Sequence, residues 1–119
     1  MALNPFKNAI SGLKEALKSQ KNLRFHFLAA LVVLDAGIIF TVSLAEWIIL
    51  VIAIMSVITC ELMNTAIEYT VDIVCPELND MARKVKDISA AAVFVTAFFA
   101  ALIGLMIFAP YLIRFIEMN

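Results

Sequence analysis

The 119-residue chain contains few glycines, cysteines and charged residues, and each shortage excludes a class of function. Gly12, Gly37 and Gly104 lie far apart, so the sequence contains no glycine-rich phosphate-binding loop. Nine basic residues stand against 10 acidic ones, a balance that argues against a nucleic-acid partner. Cys60 and Cys75 would lie about 22 Å apart on one helix, too far for a disulfide within one chain.

Apolar residues are what the sequence has in excess. They make up 64% of the chain and its mean hydropathy is +0.99, far above the values of a soluble domain. We predict helices over residues 25–43, 47–74 and 81–113, each containing an apolar run long enough to cross a membrane. The composition therefore predicts an all-α integral membrane protein in which residues 1–119 form a single domain.

A further helix is predicted over residues 4–22, before the first span. Asn4 and Pro5 are typical of a helix start. Apolar residues recur on one face of this helix: Phe6, Ile10, Leu13 and Leu17. Lysines occupy a second face: Lys7, Lys14, Lys18 and Lys21. Such a basic amphipathic helix is suited to the membrane surface, and the alternative is a soluble helix that packs on a partner.

Basic residues also predict the orientation. They concentrate before the first span and in the link after the second span, and such segments usually face the cytoplasm. We therefore expect a multi-pass protein of the inner or plasma membrane with a cytoplasmic N-terminus and an external C-terminus. His26, at the start of the first span, is interpreted as an interfacial residue.

The second span carries a stripe of polar side chains. An α-helix turns about 100° per residue, so Glu61, Asn64, Glu68 and Asp72 fall within an arc of roughly 80°. If the span enters the lipid at Trp47, Glu61 lies about 21 Å along the helix, still inside the hydrocarbon. Glu68 then lies near the cytoplasmic boundary and Asp72 among the headgroups. Carboxylates at such depths usually mark chemistry or a pathway.

Three functions fit this stripe. Transfer of phosphate from a soluble donor to a lipid hydroxyl needs Mg²⁺, a cation for the phosphates and a base for the hydroxyl. Glu68, Lys86 and Glu61 are placed for these three tasks. The same carboxylates are equally suited to a proton or ion path, and polar groups also hold oligomer interfaces together.

Two segments resemble the motifs of the bacterial diacylglycerol kinase and undecaprenol kinase family. Residues 61–72, ELMNTAIEYTVD, are similar to its signature, and residues 86–93, KDISAAAV, are similar to its second motif at the right distance. The similarity extends from about Gly12 to the end of the chain. Residues 22–26, NLRFH, and the short length resemble the undecaprenol kinase branch more than the diacylglycerol branch.

The resemblance implies a homotrimeric membrane kinase domain that uses MgATP, with composite active sites between subunits at the cytoplasmic interface. It implies that Glu61 is the general base and that the lipid alcohol contacts Glu61, Asn64 and Ala90. The residues implied in ATP binding are Gln20, Glu68, Asp72, Glu77, Leu78, Asn79, Lys86 and Asp87. Glu68 is also implied as a Mg²⁺ ligand.

The expected reaction is phosphorylation of undecaprenol to undecaprenyl phosphate for the cell envelope. Diacylglycerol kinase activity, which makes phosphatidic acid, is the alternative within the family. A non-enzymatic proton or ion path, or a membrane scaffold, is the alternative of another class.

Three positions do not follow the family pattern: Gln20, Asn8, which stands where some members place an aromatic nucleotide contact, and Asp35. Gln20 stands where the family carries a metal-binding glutamate, and a neutral amide is a weaker Mg²⁺ ligand than a carboxylate. Gln20 therefore remains a candidate metal ligand whose role is open. Asp35, in the first span, matches no motif of the family.

Overall fold

The computed structural model describes residues 4–119, which form four α-helices and no strand. They are α1 (Pro5–Ser19), α2 (Lys21–Ile39), α3 (Leu44–Val74) and α4 (Asp80–Met118). The last three are long and apolar enough to cross a membrane, which confirms the prediction of three spans.

The helix bounds differ from the predicted ranges in two informative places. The helix predicted over residues 4–22 ends at Ser19, and Gln20 alone, in extended conformation, separates it from α2. Arg24 Nη1 closes this corner by donating hydrogen bonds to the carbonyl oxygens of Leu17 at 2.7 Å and Lys18 at 3.0 Å. These carbonyls end a helix and would otherwise lack partners. The last helix continues through Pro110 to Met118, beyond its predicted end at residue 113.

The turn between α2 and α3 is fixed by a capping box. The Ser43 hydroxyl accepts a hydrogen bond from the Glu46 N–H, and the Glu46 carboxylate accepts one from the Ser43 N–H. The Tyr111 hydroxyl donates to the same carboxylate, which ties α4 to the turn. The Phe40 ring packs against the Tyr111 ring with centroids 6.0 Å apart. This end of the bundle is therefore held by polar and aromatic contacts together.

The helix α3 lies at the centre and packs against both α2 and α4. Its buried face carries Leu50, Ala53 and Val57 and continues into polar residues near Glu61. In contrast, most apolar side chains of α4 are exposed; Phe94, for example, is 72% exposed. Exposed apolar surface on this scale needs lipid or another subunit around it.

The crossing of α2 and α3 depends on Gly37. Its neighbour across the interface is the Trp47 ring, and a Cβ added at Gly37 would lie 2.5–2.9 Å from three ring atoms. No side-chain carbon fits at that distance, so the glycine sets how closely the two helices approach.

Replacing Gly37 by alanine is expected to destabilise the protein by about 1–3 kcal/mol, because the added carbon forces the Trp47 ring aside. The matched control is Gly12→Ala, where nothing lies within 4 Å of the added carbon. Thermal unfolding of the detergent-solubilised protein measures both variants. Equal unfolding temperatures for the two variants would contradict this account of the packing.

Candidate functional site

The predicted polar stripe lies on one face of α3 and becomes more exposed toward the end of the helix. Glu61 is 1% exposed, Asn64 is buried, Glu68 is half-buried and Asp72 is exposed. The apolar core on the preceding turns continues directly into this stripe. The structure therefore brings carboxylates from the interior of the bundle to its surface along a single helix.

The buried part of the stripe contains acceptor oxygens without partners. Within residues 4–119, neither carboxylate oxygen of Glu61 accepts a hydrogen bond, and Asn64 Oδ1 accepts none either. Asn64 Nδ2 donates to Glu68 Oε1 at 3.1 Å, which fixes the orientation of that carboxylate. Buried oxygens without partners are costly. Their presence here indicates a place where a ligand hydroxyl or cation completes the site.

Lys86 brings α4 to the outer part of the stripe. Its Nζ lies 2.6 Å from Asp72 Oδ1, so residues from both sequence motifs meet within one subunit. Asp72 is one helical turn from Glu68, so the ammonium group lies near both carboxylates. The pair is solvent-accessible, with 30% of the Lys86 side chain exposed. An exposed ion pair contributes little to stability, and the ammonium group remains available to an anionic ligand.

The other charged residues at the start of α4 pair among themselves. Arg83 contacts Asp80 at 2.6 Å and Asp87 at 3.4 Å, and Lys84 contacts Asp80 at 3.4 Å. Asp87 therefore lies beside the site, but the structure pairs it with Arg83 and not with the stripe. Of the cations at positions 83, 84 and 86, Lys86 is the one that forms an ion pair with α3.

The link before α4 contains three of the candidate residues. Glu77 and Leu78 are exposed, and neither side chain hydrogen-bonds to the stripe. Asn79 is the N-cap of α4, since its Oδ1 accepts the Ala82 N–H at 2.7 Å. Its side chain therefore stabilises the helix that carries Lys86. Ala90, almost three turns into α4, is exposed on the monomer surface.

Gln20 lies at the corner between α1 and α2, and this corner is joined to α3. The Tyr69 hydroxyl donates to the hydroxyl oxygen of Ser19 at 2.8 Å. Ser19 precedes Gln20, and Tyr69 follows Glu68, so the corner is held at the level of the half-buried carboxylate. Gln20 is itself half-buried. The structure thus keeps Gln20 in the neighbourhood of the stripe without a direct contact to it.

His26 is a site residue that the sequence did not identify. Its Nε2 lies 3.9 Å from Glu61 Oε2, and it is the basic side chain within 4 Å of that carboxylate in residues 4–119. Leu23 and Ala30, three residues before and four residues after His26, are both buried against the bundle. This spacing places His26 on the inward face of α2, and it is the one signal that would have found the residue.

An apolar cavity of about 460 Å³ lies between α2, α3 and α4. Its lining includes Leu50, Val57, Ala97 and Phe108, and His26 is the one polar side chain among the described residues that line it. Residues 97–108 of α4 cover about 16 Å along the helix axis. The cavity therefore runs from the imidazole toward the opposite end of the bundle and is suited to a hydrocarbon chain.

The donor atoms of the site suit Mg²⁺ that arrives with a phosphate ligand. Residues 4–119 contain no group of three or more His, Cys, Asp or Glu side chains that could hold a metal ion. The candidate ligands are Glu68 on the stripe and Gln20 at the corner beside it, and Mg²⁺ commonly takes one or two carboxylates and completes its shell with phosphate and water. These residues fit a shared metal site better than an all-protein one.

Comparison with known proteins supports the interpretation of these motifs. The sequence profile of the family described as prokaryotic diacylglycerol kinase matches residues 7–108. The undecaprenol kinase of Bacillus subtilis is 39% identical over 107 residues, which cover 90% of this chain and 87% of that protein. The diacylglycerol kinase of Synechocystis is 29% identical over 109 residues, covering 91% of this chain and 62% of that protein. The Haemophilus influenzae diacylglycerol kinase is 27% identical over 93 residues, or 78% and 79% of the two chains.

Proposed function

Because the chain belongs to the prokaryotic diacylglycerol kinase family and is thereby a lipid kinase, we propose that it transfers the γ-phosphate of ATP to undecaprenol. The 39% identity to an undecaprenol kinase, over nearly the whole of both proteins, carries the choice of lipid. Diacylglycerol is the second candidate, favoured by the 29% and 27% identical diacylglycerol kinases. The family of the protein is thus established, and undecaprenol is the substrate that we propose for it.

Glu61 is the proposed general base. Its carboxylate is buried and both oxygens are free to accept a hydroxyl proton. The apolar cavity on the same side of the bundle is bounded by His26, which faces Glu61. A lipid whose chain lies in this cavity presents its hydroxyl near the carboxylate. Asn64, one turn away, has a free oxygen for the same hydroxyl, and Ala90 is proposed to contact the lipid from a neighbouring subunit.

Glu68 and Lys86 are proposed to hold the nucleotide. Glu68, oriented by Asn64, would bind the Mg²⁺ that accompanies ATP, and this ion supplies charge neutralisation on the phosphates. Lys86 would bind the phosphates, with Asp72 holding its ammonium group in place. Glu77, Leu78, Asn79 and Asp87 are proposed nucleotide contacts as well. This choice is supported by their position beside Lys86 at the same end of the bundle.

A homotrimer with the N-terminus in the cytoplasm is proposed as the working assembly. Phe6 and Ile10 are 83% and 55% exposed on α1, which supports a surface helix resting on the membrane or on another subunit. The exposed apolar face of α4 likewise needs a partner or lipid. Basic residues around α1 and in the first turns of α4 support placing the ATP site on the cytoplasmic side.

The lipid substrate is tested by a panel. Purified protein with radiolabelled ATP is expected to phosphorylate undecaprenol faster than diacylglycerol, and Glu61→Gln is expected to lose at least about 100-fold in kcat because the base is removed. Glu15→Gln, an exposed glutamate of α1, is the matched control and should retain full activity. Preference for diacylglycerol would select the second candidate. Full activity of Glu61→Gln would remove that residue from the base role.

The proposed phosphate contact is tested by comparing two lysines of α4. Lys86→Gln is expected to raise the KM for ATP by about tenfold, the loss of one charge-assisted hydrogen bond to phosphate. Lys84→Gln removes an equal charge two residues away, where the lysine pairs with Asp80, and should change this KM little. Steady-state kinetics with ATP as the varied substrate decide between them. Equal effects would indicate a general influence of charge.

Gln20 is tested by restoring a carboxylate. Gln20→Glu is expected to lower the Mg²⁺ concentration that gives half-maximal activity, because a carboxylate binds Mg²⁺ more strongly than an amide. Titration of activity with Mg²⁺ at saturating ATP measures the change. Gln20→Ala is the companion variant. If Mg²⁺ dependence is identical in all three proteins, Gln20 does not contact the metal.

A further inference from the structure

Glu61, the base of the proposed reaction, is buried, so the proton that it takes up needs a route to water. Transfer to an alcohol forms an oxygen–phosphorus bond with the lipid and breaks the bond between the γ-phosphorus and ADP, whose oxygen keeps the electron pair. The hydroxyl proton is left over and must reach water before the next cycle. If Glu61 takes it, the proton is held on a side chain that is 1% exposed.

The stripe itself offers no exit. Two side chains lie between Glu61 and the half-buried Glu68. Asn64 donates an amide hydrogen to Glu68, and the Thr65 hydroxyl hydrogen is already engaged with the backbone carbonyl of Glu61. An amide neither accepts nor releases a proton near neutral pH. A proton on Glu61 therefore cannot pass outward along α3 through the side chains of the stripe.

We propose that His26, the basic side chain within 4 Å of Glu61 among the described residues, carries the proton away from that carboxylate. Its Nε2 lies 3.9 Å from Glu61 Oε2, and its side chain is 16% exposed against 1% for the glutamate. A movement of about 1 Å brings the two atoms to hydrogen-bond distance. An imidazole can accept a proton at one nitrogen and release it from the other.

The position of His26 in the fold fits this task. It lies five residues after Lys21, the first residue of α2, so it is about 7.5 Å along the helix from the polar corner closed by Arg24. It also bounds the apolar cavity, where the chain of the lipid is proposed to lie. His26 thus lies beside the enclosed base and within the first two turns of α2 from that corner. His26 acts through Glu61 and is a positioning and relay residue for it.

This inference rests on the proposed kinase activity, and the experiment separates the two. In His26→Gln, which keeps side-chain length but carries no proton, steady-state turnover is expected to fall about tenfold or more. A rapid-quench measurement should still show the first phosphorylated lipid per site forming within about twofold of the wild-type rate, because the proton taken up in the first turnover has to leave only before the second. Product should therefore appear as a burst. Imidazole added to His26→Ala should restore steady-state turnover.

The matched control is Leu28→Phe, an exposed position two residues further along α2, which should leave both rates unchanged. Equal slowing of the first and later turnovers in His26→Gln, together with no rescue of His26→Ala by imidazole, would overturn the relay and indicate a structural role. Unchanged steady-state turnover in His26→Gln would overturn it too. A wild-type protein inactive on both lipids would reject the proposed function and the relay with it.

Discussion

The burial of Glu61 is the constraint on which the rest of the structure depends. A buried carboxylate without a hydrogen bond is costly, and the Glu61 side chain is 1% exposed and accepts no hydrogen bond from the described residues, with His26 3.9 Å away. A residue can remain in such an unfavourable position when the packing of its neighbours holds it there. Here the Leu50 side of α3 packs into the core, and the same face continues to Glu61. The packing that stabilises the bundle also forces the carboxylate inward.

The buried carboxylate lies between an apolar region and a charged region of the bundle. On the turns of α3 before Glu61, the helices line an apolar cavity. On the turns after Glu61, the side chains of the stripe become progressively more exposed toward the ion pair of Asp72 and Lys86. The arrangement therefore suits an apolar ligand at one part of this helix and a charged ligand at the other. Water would not accommodate the apolar ligand, and lipid would not accommodate the charged one. A helix that passes from lipid into water can bind both.

Much of this could be predicted from the sequence because it depends on periodicity within one helix. The three spans follow from the length of the apolar runs, and the stripe follows from the spacing of Glu61, Asn64, Glu68 and Asp72 on α3. The pairing of Lys86 with Asp72 is a contact between helices, and the sequence did not predict it. Family membership follows from those motifs and from the matched profile.

The features that the sequence missed are contacts between distant segments. His26 and Glu61 are 35 positions apart, and nothing in the local pattern of either helix indicates that the two side chains meet. The end of α1 was placed three residues too far, because Lys21 continues the basic face while the chain has already turned at Gln20. The turn depends on Arg24, whose bonds to the carbonyls of α1 are visible only in the folded chain.

Asp35 is a carboxylate without a partner among the described residues. It lies on an exposed face of α2, inside an apolar span, and forms no hydrogen bond or ion pair within residues 4–119. A carboxylate facing hydrocarbon would be costly, whereas one facing a neighbouring subunit can find a donor there. The exposed apolar side chains of α4 also need a covering surface, which another subunit or lipid can provide. Both features support an assembly in which subunits cover what each leaves open.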